Sequence, residues 1–327
     1  MPRPKRPHGP SSCLHKSPPP LYLAVVFFFV LFPLLIQRSA GATELTDQSG
    51  KIIHFQRPFT RIISLYGAHT ENLAALGLDK EIIGRTGDDD YPASITSKPE
   101  FSDLDNPEKF IAARPDLILV RPMLENRHPE LFTSLQKAGI TIVSLQPTDI
   151  GQMYAYWRDL GKLTGKTKEA EAMIEKFKAG LVRIHDTFKD VPENNRPRVY
   201  FESIHEMMRT FSPQSISLFS LKSAGGINIA VDAVPRHSTN IADYGKERIL
   251  SHAGDIDVFL AQTGRMNRVD KMMILEEPGF EAIKAIKDGR IYLIDEKQVS
   301  RPTLRLLSGI QKLNTLLYPT AGQTGRQ

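Results

Sequence analysis

The chain describes nearly the same unit twice, on either side of a stretch that reads as one uninterrupted helix, and this repetition limits the available folds more than any single motif does. Residues 107–120 read PEKFIAARPDLILV and residues 245–261 read GKERILSHAGDIDVFLA. Each gives a short amphipathic helix, an acidic hinge and a buried apolar strand. Each is followed by a helix and then a glycine-led strand, GITIVSL from Gly139 and GRIYLID from Gly289. Each is preceded by an arginine-led strand, RIISLY from Arg61 and RVYFES from Arg198. Between the copies Ala170, Met173, Ile174, Phe177, Leu181 and Ile184 fall on one helical stripe, which predicts a helix over about 167–189. Alternating strands and helices imply parallel sheets. The expected architecture is therefore α/β, with two parallel-sheet lobes joined by a single long α-helix that leaves a cleft between them.

Local signals divide the chain further. A helix near 71–76 should stop at Gly77, a good C-cap residue, before strand EIIGRT and the polar loop GDDDYP at 87–92. Helix EKFIAAR should end at Arg114, because a residue before proline disfavours helix. A helix over 129–138 and a strand over 140–145 complete the first lobe, placed at 43–165. The linking helix occupies 166–190. The second lobe, at 191–320, holds a helix near 215–223 and a closing helix near 303–317, and a loose polar tail follows at 321–327.

Residues 1–42 read as a signal peptide: Arg3, Lys5, Arg6 and Lys16 precede an apolar stretch from Leu21 to Ile36, and Ala40-Gly41-Ala42 offers a small-residue cleavage site. That stretch is shorter than the roughly 20 residues of a membrane-spanning helix and contains Pro33. The sole cysteine, Cys13, precedes it rather than following it, so a lipid-modified N-terminus is not expected. The leader holds five of the 42 Lys and Arg and none of the 37 Asp and Glu, which leaves 37 of each sign in the remainder. The net charge of +5 thus belongs to the leader, and a nucleic-acid partner, which needs a basic surface, has no support. Without a cysteine after the leader, stability must come from buried apolar area rather than disulfides.

In open parallel sheets ligands sit beyond the carboxyl ends of the strands. In the first lobe those positions are Tyr66 and His69, Asp88 to Tyr91, Arg121 and Met123, and Pro147. In the second they are Glu202, His205 and Arg209, then Gln262, Arg265 and Asn267, then Ser300 and Arg301. The arginines Arg121, Arg209, Arg265 and Arg301 suit an anion or a chelate with anionic edges, because the guanidinium fork matches carboxylate geometry. His69, His205 and His237 are candidate metal ligands, although none stands in an HxxxH or HxH pair, and Tyr66, Tyr91 and Tyr244 are candidates for packing or ligation. The chain contains no GxSxG, P-loop, HExxH or GxGxxG pattern. Glu71 and Glu202 could form an acid–base pair, but no spacing rule brings them together. No catalytic residue, cofactor or resident metal is expected.

Four segments carry a family resemblance: RIISLYGAHTENLAALGLDKEIIGRT, NPEKFIAARPDLILV, LKSAGGINIA and GKERILSHAGDIDVFLA. In order and spacing, over residues 55–318, they resemble the ABC-transporter solute-binding proteins for iron-siderophore, haem and cobalamin, whose two Rossmann-like lobes are bridged by one long helix. The resemblance implies a periplasmic, monomeric receptor that binds a metal chelate between its lobes and delivers it to an inner-membrane permease. The strand-end positions expected to face the ligand are Tyr66, His69, Tyr91, Arg121, Glu202, Arg209, Arg265 and Arg301. Glu108 matches a permease-docking glutamate; in the second lobe Gln214 stands where a glutamate is often found. Direct capture of Zn²⁺ or Mn²⁺, and an exported α/β enzyme, remain as alternatives.

Overall fold

A computed structural model describes residues 43–236 and 239–319. The expected leader, His237 and the expected tail lie outside the described residues. The first half runs β1 (Thr43–Thr46), β2 (Ile52–Phe55), β3 (Ile62–Ser64), α1 (Gly67–Ala75), β4 (Ile82–Gly84), α2 (Pro107–Ala113), β5 (Leu117–Val120), α3 (Pro122–Arg127), α4 (Pro129–Lys137) and β6 (Thr141–Ser144). Helices α5 (Ile150–Thr164) and α6 (Thr167–Asp186) follow. The second half runs β7 (Arg198–Glu202), β8 (Arg209–Phe211), α7 (Ile216–Ser223), β9 (Ile227–Asn228), β10 (Val234–Pro235), β11 (Ile241–Asp243), α8 (Lys246–Ser251), β12 (Val258–Thr263), α9 (Lys271–Glu276), α10 (Lys284–Lys287), β13 (Ile291–Asp295), α11 (Glu296–Val299) and α12 (Leu306–Leu317).

Each half builds a four-stranded parallel sheet, in the orders β4-β3-β5-β6 and β9-β7-β12-β13. Numbered within each lobe, both orders are 2-1-3-4. The duplication visible in the sequence is thus a duplication of topology. Strand β5 is apolar at all four positions and buried at all four, as a parallel strand covered on both faces requires. Helix α2 starts at Pro107, where a missing N–H costs nothing, and ends at Arg114, which adopts a left-handed conformation (φ 52°) before Pro115. The expected boundary is therefore present, reached through the left-handed region rather than extended backbone.

Three features depart from the sequence reading. Residues 150–164 form α5, which went unpredicted because IGQMYAYWRDLGKLT carries two glycines and three aromatic residues, all weak helix formers. Packing stabilises it instead: Met153, Tyr156, Trp157 and Leu160 are buried, and Gly161 lets Ala170 of α6 approach closely. Helix α6 is shorter than the expected 167–189, and its 20 residues span about 30 Å. Strands β10, β11 and β8 form a separate antiparallel sheet in the second lobe, too short to show a period of two.

Helix α6 joins the lobes physically. Its first half packs on α5, while Gly180 receives Leu307 and Thr187 bonds Asn314 of α12 at 3.1 Å. One apolar cluster runs continuously from Leu45 and Leu119 through Trp157, Ile174 and Phe177 to Leu260 and Leu313. Each lobe has a further core of its own, around Tyr200 and Phe259 in the second lobe and around Phe110 and Ile118 in the first. Among the described residues no helix is long and apolar enough to cross a membrane.

Candidate functional site between the lobes

In both sheets the strand order reverses between the first and third strands, β3 and β5 in one lobe, β7 and β12 in the other. Loops leaving two such neighbours diverge to opposite faces, and the crevice between them is where open α/β sheets bind ligands. Tyr66 and Arg121 leave the first switch point; His205 and Arg265 leave the second.

Tyr66 is half-buried at the start of α1, with the Arg121 guanidinium 4.6 Å from its ring centroid. Burial pushes its phenol above the ordinary range, against the pull of Arg121 and Arg301. Among the described residues Arg121 Nε has no hydrogen-bond partner, so this arginine is held by stacking and keeps donor capacity. Tyr91 lies exposed on the 87–92 loop, under the Arg305 guanidinium at 4.5 Å.

The lobes meet through two kinds of ion pair. Glu71, 4 % exposed, accepts from Arg305 at 2.6 and 2.8 Å and from Arg301 at 3.3 Å. Nearby, the Pro302 carbonyl accepts from Asn72 Nδ2 at 2.9 Å and Trp157 Nε1 at 3.1 Å. Gly67 makes room for this join, since a Cβ there would collide with Arg301 and Asp89. Outside this buried anchor, Arg265 meets Asp88 and Lys297 meets Asp90, each at 2.6 Å. Beside Arg265 a cavity of about 170 Å³ opens between His205, Asn267, Met266 and Met273.

Several expected ligand residues are placed elsewhere. His69 is fully buried: Nε2 donates to the Val120 carbonyl at 3.0 Å, and Nδ1 accepts from Tyr156 Oη at 2.7 Å. Both nitrogens are occupied, so His69 cannot face a ligand. Glu202 is also fully buried, bonded to His205 Nδ1 at 3.0 Å. Burial raises its carboxyl pKa, and the hydrogen bond to Glu202 raises that of His205. Arg209 is tied to Asp243 at 2.8 Å across the antiparallel sheet, and Asp243 is shared with Arg236. Arg301 reaches the seam as expected, but to hold Glu71. Glu71 and Glu202 thus form separate pairs rather than an acid–base couple. Tyr244 packs against Tyr200 in the second-lobe core, and burial pushes its phenol to about 12. Glu108 is exposed in the first turn of α2, and Gln214 is exposed beside the Ser215 cap of α7. Arg305 was missed, although its spacing of four residues from Arg301 at the start of a helix was a readable signal. Among the described residues no cluster of three or more His, Cys, Asp or Glu could hold a metal ion.

Burial lowers the His69 pKa from 6.5 to about 3. The unfolded chain then takes up a proton below pH 6.5 that the folded protein refuses, so this contribution to stability is complete above that value and falls as the pH drops toward 3. From about pH 7.5 to about pH 5.5, His69 should cost about 1.4 kcal/mol of unfolding free energy. Denaturant titrations of wild type and His69→Gln at both pH values check this, and the variant should lose correspondingly less between them.

This is a two-lobed binding architecture, with its site at paired switch points and an α-helical spine behind. The chain belongs to the periplasmic binding protein family, whose model matches residues 62–298. It is similar to the Bacillus subtilis ABC transporter substrate-binding lipoprotein YvrC, at 24 % identity over 84 % of this chain and 85 % of that protein. It is also similar to the vitamin B12-binding protein of Vibrio cholerae, at 23 % identity over 80 % and 90 %. A structure described as a possible iron-binding periplasmic solute-binding protein from Staphylococcus epidermidis superposes with a TM-score of 0.70, at 26 % identity, over 80 % of this chain and all of that one. The protein is accordingly a substrate-binding component of ABC import and not an enzyme.

Proposed function

We propose that the protein receives a metal chelate of the iron-siderophore, haem or cobalamin kind in the seam between its lobes and delivers it to an inner-membrane permease. The observation that carries this reading is the pair of arginines at equivalent switch points, Arg121 stacked on Tyr66 with an unused donor and Arg265 held only in an exposed ion pair. Both can turn to a ligand without unfolding anything. The relatives named for vitamin B12 and for iron support the chelate class. In this reading residues 1–42 are a cleaved export signal, the receptor acts as a monomer, and Glu108 is the first-lobe contact with the permease. Tyr66, Tyr91, Arg121 and Arg265 line the ligand's path.

Arg121→Ala combined with Arg265→Ala should weaken binding of an acidic chelate by about 2–4 kcal/mol, a loss of roughly 30- to 1000-fold. The thermal midpoint should change little, because Arg265 is 80 % exposed and, among the described residues, Arg121 gives up only its stacking on Tyr66. Titration calorimetry reads the affinity; an unchanged value would mean that the ligand lies against another wall.

A further inference from the structure

The three consecutive aspartates after β4 do not act alike. Asp89 turns inward, 3 % exposed, and takes Thr70 Oγ1 at 2.5 Å and Thr86 Oγ1 at 2.9 Å. With the middle residue fixed inside, Asp88 and Asp90 extend across the seam to Arg265 and Lys297 of the other lobe. Asp88 and Asp90 remain 62 % and 59 % exposed. The Asp88–Arg265 pair is open on both sides and weakly held, and the Asp90 pair is open on its carboxylate side while Lys297 is 24 % exposed; in the Glu71 pairs both partners are largely removed from solvent. The cavity beside Arg265, about 170 Å³, is lined by second-lobe residues alone and does not extend between the lobes. A chelate that takes hold of Arg265 or Lys297 has to displace these two outer pairs.

We propose that Asp88 and Asp90 set the charge selectivity of the cleft: they are placeholder carboxylates that hold Arg265 and Lys297 until acidic groups of the cargo replace them. The cargo is then a chelate bearing several acidic groups, rather than a neutral one. A neutral ligand would separate the pairs and leave four charges without partners, whereas an anionic ligand re-pairs both cations and releases only the aspartates, which water already solvates. Asp89 is the positioning residue that aims its two neighbours.

This inference rests on the receptor reading, and the test separates the two. Wild type and the double variant Asp88→Asn, Asp90→Asn are titrated with a strongly anionic ferric tricatecholate and with neutral cyanocobalamin. Quenching of Trp157, the sole tryptophan of the chain, reports binding. The loop keeps its Asp89 anchor, so the variant should fold, and equal thermal midpoints confirm it. The expected result is that wild type binds the tricatecholate and the variant binds it about tenfold more tightly, with a steeper dependence on salt, because no aspartate pair is given up in exchange. Asp88→Asn alone should give an intermediate gain. Unchanged or weaker tricatecholate binding by the variant overturns the proposal, as does a wild type that binds only cyanocobalamin; in both cases the receptor reading stands. If neither protein binds these probes, haemin or a ferric hydroxamate, the receptor reading fails with it.

Discussion

Replacing Glu71 by alanine should lower the unfolding free energy by about 3 kcal/mol, one of the two largest single effects expected anywhere in the molecule. The carboxylate is almost fully buried and neutralises two guanidiniums that are only 14 % and 18 % exposed. Truncation leaves Arg301 and Arg305 inside the seam without the carboxylate that bonds them both. Breaking a buried pair from one side typically costs about 3–5 kcal/mol, and the lower end applies because both arginines can lean toward solvent. Glu71→Gln keeps an acceptor oxygen and should lose less. By contrast Asp88→Asn should cost under about 1 kcal/mol, since its pair is exposed. Denaturant unfolding of these variants would show whether the buried pairs anchor the lobes and the outer ones do not; similar losses at Glu71 and Asp88 would contradict that division.

Trp157→Ala is the second, at about 3–5 kcal/mol. Trp157 is fully buried in the core shared by the two lobes, packed edge-on against Phe177 of α6 at 5.5 Å, and its indole N–H reaches Pro302 of the second lobe. Truncation therefore removes a large apolar volume where α5, α6 and the 300–305 loop converge. Trp157→Phe separates packing from hydrogen bonding. Pro302 would still accept from Asn72, so the lost N–H should cost only about 1 kcal/mol. Circular dichroism during denaturation gives both values, and a phenylalanine variant as unstable as the alanine one would place the weight on the hydrogen bond instead.

Much of the fold could be read from the residues because strands buried on both faces leave an unmistakable mark. LILV at β5 and VFLA in β12 are continuous apolar runs, each led by the short helix that covers it, and finding the pattern twice implies two sheets. The parts that stayed hidden have no comparable local signal. Helix α5 is specified by what it packs against, and the β8–β11 sheet by partners about thirty residues apart. The site was only half legible for the same reason. Strand ends could be named, and the fold puts Tyr66, Arg121 and Arg265 beside the switch points, but which side chains turn inward is decided by distant neighbours. His69 is satisfied by Tyr156 and Val120, and Arg301 by a glutamate 230 positions away. A sequence shows that an arginine is present at a strand end; only the fold shows whether its charge is already paired.

The central claim is that the seam between the lobes takes up a metal chelate, and visible-absorbance titration of the purified protein against ferric siderophores, haemin and cyanocobalamin tests it most directly. Saturable, stoichiometric uptake of one of these is the predicted result, weakened when Arg121 and Arg265 are both alanine. Stoichiometric binding of free Zn²⁺ or Mn²⁺ with no uptake of any chelate would contradict it.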